Sequence, residues 1–117
     1  MLEEKARDLG RVIGQSTEYQ EVKRANDALN GDREAVSLLR QMEEIRTDAQ
    51  RRLERGEQPM AEMEDKLDDL LSRVQVSPVY QRAIAAQENF DKLMLQVNNW
   101  IMEGIKRGSA SPIITLG

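Results

Sequence analysis

The sequence predicts an all-α fold: two short N-terminal helices, a long antiparallel helical hairpin and a long C-terminal helix, with the bundle completed by self-association. Three observations carry that prediction. Apolar residues recur at alternating steps of four and three through most of the chain, the spacing of one helix face. No stretch alternates apolar and polar residues in a way that would seed a sheet. Of 117 residues, 32% are charged and only 3% aromatic, a balance suited to solvated helices and not to an α/β core.

Leu2, Ala6, Leu9 and Ile13 share one face and predict a first helix over residues 2–14. Glu3 and Glu4 fall in its first turn, where the helix dipole favours negative charge. Gly14-Gln15-Ser16 ends it. Thr17 then reads as an N-cap, with Gln20 three residues on completing a capping box. The second helix, over about 18–29, turns Tyr19, Val22, Ala25 and Leu29 inward. Asn30-Gly31 is a turn pair, and Asp32 is a good N-cap for the third helix.

Ala35, Leu38, Met42, Ile45 and Ala49 set the seam of that third helix, over 33–55. Arg52 is next on the seam, and Leu53 beside it is expected to take over. Arg40 with Glu44, and Asp48 with Arg52, are expected to pair on the outer face. Gly56 suits a left-handed position after the helix, with Pro59 shortly beyond. So short a connection makes antiparallel neighbours. Met60, Met63, Leu67, Leu70 and Val74 form the seam of the return helix.

Ser77-Pro78 opens the longest element. Pro78 at the first helical position costs no hydrogen bond. Val79, Ala83, Ala86, Phe90, Leu93, Val97, Trp100 and Gly104 line one face, widened by Tyr80, Met94 and Ile101. To Arg107 this helix is about 45 Å long, more than the hairpin can cover. Its smaller-residue half, Val79 to Ala86, is expected to pack on the hairpin of its own chain. Its second half is the expected meeting surface between subunits, through Phe90, Leu93, Met94, Val97, Trp100 and Ile101. Residues 1–107 form a single helical domain, and 108–117 a flexible tail.

The chemistry available is sparse. The chain has no cysteine and no histidine. That removes disulfides, thiol nucleophiles, thiolate ligation, the commonest general base and the commonest metal ligand. Glu62, Glu64, Asp65, Asp68 and Asp69 are the densest acidic cluster. Carboxylates four apart can bind a divalent cation or move a proton, but no companion ligand or nucleophile accompanies them, and a solvated helix face is the better reading. Arg40, Arg46, Arg51, Arg52 and Arg55 are interleaved with Glu43, Glu44, Asp48 and Glu54, which reads as a self-paired surface and not as an RNA-binding stripe. A net charge of −4 and an isoelectric point near 5.0 disfavour direct nucleic-acid binding. No metal, cofactor or enzymatic activity is expected. Six methionines would suit an adaptable apolar surface, but ordinary bundle core is the better reading of them. No apolar run is long enough to cross a membrane, and Met-Leu-Glu-Glu-Lys has no secretory apolar stretch, so a cytoplasmic location is expected.

The order of these pieces resembles the YlbF/YmcA family of small bacterial regulators. The resemblance lies in Leu9-Gly10 followed by Glu18-Tyr19, in Ala28-Leu29-Asn30 with Asp32 and Glu34-Ala35, and in Ala86-Gln87-Glu88-Asn89-Phe90 leading to Val97-Asn98. It covers roughly residues 3–105 and includes no catalytic motif. It implies an all-helical, self-associating protein without enzymatic activity. Two members act with a third protein in Gram-positive bacteria, supporting ribonuclease Y-dependent mRNA processing and, through it, competence, sporulation and biofilm formation. Members of that complex carry cysteines that help hold iron–sulfur clusters. This chain has none, so the cluster role does not carry over.

The functional expectation is therefore a non-enzymatic adaptor, a dimer or higher oligomer that binds a protein partner. The alternative is a small chaperone-like or secretion-related hairpin that holds client proteins through its tips and methionines. A third reading would give the Glu64–Asp69 carboxylates an enzymatic role.

Overall fold

The computed structural model describes the backbone of residues 1–116 and the side chains of residues 1–110. Five helices run in order along the chain: α1 (Leu2–Gly14), α2 (Thr17–Asn30), α3 (Arg33–Glu54), α4 (Ala61–Gln75) and α5 (Pro78–Leu116). The architecture is all-α, as predicted.

Helix boundaries arise from local chemistry. Asp32 caps α3 as expected, its Oδ1 accepting the Ala35 N–H at 2.8 Å. At the other end Gly56 takes φ 80°, a left-handed conformation that any side chain would strain. The Glu57 N–H donates to the Arg52 carbonyl (2.8 Å) and the Gly56 N–H to that of Leu53 (3.0 Å), closing the last turn. The α2 cap lies one residue earlier than expected. Ser16, not Thr17, is extended, and its Oγ accepts the Tyr19 N–H at 3.1 Å. Gln20 does not close a capping box. Its side-chain amide donates back to the Gly14 carbonyl at 2.9 Å. The α4–α5 corner repeats the device, with Gln81 donating to the Gln75 carbonyl at 2.8 Å.

The helices pack as two pairs. Leu38 and Met42 of α3 close on Leu70 and Val74 of α4, with Leu67 and Leu71 alongside, so the predicted hairpin is present. In the second pair, Val22 and Ala25 of α2 meet Ala83 and Ala86 of α5. Here the structure corrects the expectation from sequence. The first half of α5 lies on α2, not on the hairpin, and only Tyr80 joins the hairpin cluster. The reason is steric: alanines on both sides let the α2 and α5 axes approach closely, whereas the larger hairpin side chains already fill their own seam.

Three further expectations change. At the hairpin tip Arg52 keeps the seam position and is half-buried, while Leu53 points outward, 53% exposed. Arg52 reaches Glu57 at 3.9 Å in place of Asp48, and no ion pair forms between Arg40 and Glu44. A long arginine can hold a seam position by packing its aliphatic stem while its head stays in water, and from there it reaches the turn. The last helix also continues to Leu116 and does not end at Arg107. Gly108 and Ser109 weaken a helix by about 1 kcal/mol or less each but obstruct nothing. The Ser109 hydroxyl bonds back to the Lys106 carbonyl at 3.1 Å within the helix.

The result is an elongated molecule, 68 × 37 × 20 Å, with a radius of gyration of 21.5 Å. A compact chain of this length has about 13 Å. Ten residues form the buried apolar set, four of them alanines, and no polar side chain is buried among the described residues. The accessible surface is 9240 Å². A compact monomer of this mass exposes about 6,500 Å². Part of the difference is apolar helix face without a neighbour in the chain.

Candidate interaction surface

That uncovered face is concentrated at one end of the molecule. Up to Phe90, α5 is held by α2. The Phe90 ring is half-buried and sits 5.5 Å from that of Tyr19, tilted at 58°. Such a tilt suits the opposed charge distributions of ring face and ring edge. Arg82 of α5 reaches Glu21 of α2 at 3.8 Å, and Arg24 reaches the same carboxylate at 2.8 Å. Leu93 is half-buried and Val97 buried within the same chain. From Asn98 to Ala110 every α5 residue is exposed.

The six residues singled out from the sequence therefore divide. Phe90, Leu93 and Val97 contribute to the chain's own packing. Met94, Trp100 and Ile101 are exposed, at 36%, 54% and 43%. They are joined by Leu95, Met102 and Ile105, which lie outside the set selected from spacing. Ile105 is one helical turn beyond Ile101, so the same periodicity extended by one step includes it. An indole more than half exposed beside five aliphatic or thioether side chains makes an apolar patch of a kind that monomers rarely expose.

A second uncovered face lies on α1. Residues 1–12 are all exposed, including Leu2, Leu9 and Val12. The stripe is legible in the sequence, but its lack of a partner is not, because the direction of α1 is set at the Ser16 corner. There the Ser16 hydroxyl donates to the Ile13 carbonyl at 2.6 Å, and Gln20 holds the Gly14 carbonyl.

The polar clusters converge on nothing comparable. Glu62, Glu64, Asp65, Asp68 and Asp69 are exposed along α4, and Asp69 pairs with Arg73 at 3.3 Å. No group of three or more metal-ligating side chains comes together among the described residues. The basic residues of α3 line shallow surface grooves together with Glu43, Glu44 and Asp48. A further open groove of about 390 Å³ lies over Tyr80, Ile84 and Glu88. No helix among the described residues is long and apolar enough to cross a membrane.

Fold and surface together define a class: a slender helical protein whose most distinctive surface is the exposed apolar end of α5. Comparison with known proteins identifies that class further. Residues 2–106 match the family model described as control of competence regulator ComK, YlbF/YmcA, and the chain belongs to that family. Relatives include two UPF0342 proteins of Limosilactobacillus reuteri, from strain DSM 20016 and from subsp. reuteri strain JCM 1112. Each is 25% identical over 101 residues, spanning 86% of this chain and 82% of the relative. The family is a regulatory one, in keeping with the resemblance read from the sequence.

Proposed function

We propose that the protein is a regulatory adaptor without enzymatic activity of its own, acting through self-association and contacts with a protein partner. The observation that carries this reading is the exposed apolar end of α5 around Trp100. Its setting is developmental regulation, which the family's description supports, with mRNA processing as the route that the resemblance implies. Sedimentation equilibrium or light scattering at micromolar concentration tests the core of it. The expected mass is at least twice 13.4 kDa. A monomer throughout that range would sink the proposal.

The client-holding alternative rests on the hairpin tip, where Leu53 and Met60 are 53% and 42% exposed. It predicts that the native protein suppresses aggregation of an unfolded client. Substitution of Leu53 and Met60 by Ser would abolish that activity without changing oligomer mass.

A further inference from the structure

The two uncovered faces match one another. The exposed part of α1, residues 1–12, is about 18 Å long, and the exposed part of α5, residues 98–110, about 20 Å. Both carry apolar residues at helical spacing. The α2–α5 pair supplies a register for joining them. It is antiparallel, with Tyr19 against Phe90 and the Val22–Ala25 segment against Ala83–Ala86. Continuing the Tyr19–Phe90 register toward the N-terminus of α1 and the C-terminus of α5 places Leu9 opposite Trp100, next to Ile101, and Ala6 opposite Glu103, next to Gly104. It also sets Glu3 opposite Lys106, with Glu4 and Arg107 adjacent, so the flanking charges are complementary. Gly104 has nothing within 4 Å of where a Cβ would stand, so its surface is open to a close neighbour.

The chain's own α1 does not take this place. Hydrogen bonds at the Ser16 corner hold it in a direction that leaves residues 1–12 exposed. We infer that the occupant is α1 of a second copy: two chains exchange their first helices, each lying antiparallel on the other's α5 between Val97 and Gly108. This rests on the self-association proposed above and specifies its geometry. A reciprocal exchange is two-fold symmetric and closes on itself, so it yields a dimer and not a filament. It also uses the surface in excess. Specific dimer interfaces bury about 1,200–2,000 Å² in total. The chain exposes about 2,700 Å² more than a compact monomer of its mass would.

A charge-swapped pair of chains tests the arrangement. One chain carries Glu3→Lys and Glu4→Lys, the other Lys106→Glu and Arg107→Glu. All four positions are exposed, so neither chain loses core packing. Alone, each sets like charges against one another at both α1–α5 contacts, and its dimer should dissociate at least about tenfold more readily than the unaltered one. Mixed, the two restore opposite charges at both contacts and should form a heterodimer of ordinary affinity. Cysteines provide the direct readout, since the chain has none. Ala6→Cys and Gly104→Cys chains, mixed and oxidised, should give a 6–104 disulfide between chains in preference to either homodisulfide.

Three results would overturn the inference while leaving self-association standing. They are a 104–104 disulfide in its place, a double-cysteine chain that closes only on itself, or an unaltered dimer whose charge-swapped versions are not rescued by mixing. A monomeric unaltered protein would overturn both.

Discussion

Two aromatic side chains separated by three helical turns have different roles. Phe90 packs on Tyr19 and the α2 core, whereas Trp100 is more than half exposed in the single chain. Phe90→Ala should therefore cost about 2–3 kcal/mol of stability, somewhat below the ~3–5 kcal/mol of a fully buried ring. A urea melt reads this as a lower midpoint. Trp100→Ala should leave the stability of the isolated chain within about 0.5 kcal/mol and lower the oligomer mass instead. Because Trp100 is the sole tryptophan, its emission should also move to shorter wavelength as the unaltered protein is concentrated. The seam is visible at both positions from spacing alone. Periodicity assigns a face, but it cannot tell which part of that face the chain covers itself. At Arg52 the spacing points to the right residue and the preference for the apolar Leu53 to the wrong one, because a long amphipathic side chain can occupy a seam position with its head in water.

At the scale of elements, most boundaries are legible because they rest on short-range chemistry. Asp32 and Gly56 each act within a few residues of themselves, and both hold the places assigned to them. Asp32→Ala should cost about 1 kcal/mol by leaving the Ala35 N–H without its acceptor. Its effect should appear as a lower unfolding midpoint with an unchanged denaturant slope. Thr17 is the weaker assignment. Ser16 and Thr17 are both good caps, and the choice depends on which of them becomes extended when α1 turns into α2. The end of α5 is hard to place for a related reason. Gly108 and Ser109 lower helix propensity without blocking the helix, and propensity is a weak guide beside the cooperativity of a helix already formed.

The whole molecule is two helix pairs linked at a corner, with a free helical arm at each end of the chain. Stability should be distributed accordingly. In hydrogen exchange on dilute protein, amides of α1 and of α5 beyond Val97 should exchange fastest, and those around Ala25, Leu38, Val74 and Ala86 slowest. Raising the concentration should protect both arms together if they cover one another. Protection of the α5 arm alone would point to a different mate.

The helical class, the four turns and the face each helix must bury can all be read along the chain. They depend on interactions within a few residues, or on a periodicity that needs no partner. Which faces meet is settled in three dimensions. The hairpin seals its own seam with large side chains, and the close approach allowed by Ala25, Ala83 and Ala86 draws α5 onto α2. The Ser16 corner then directs α1 away, leaving Trp100 and Ile105 uncovered. Pairing between distant helices depends on steric fit and on corner geometry. Neither can be read from hydrophobic spacing alone.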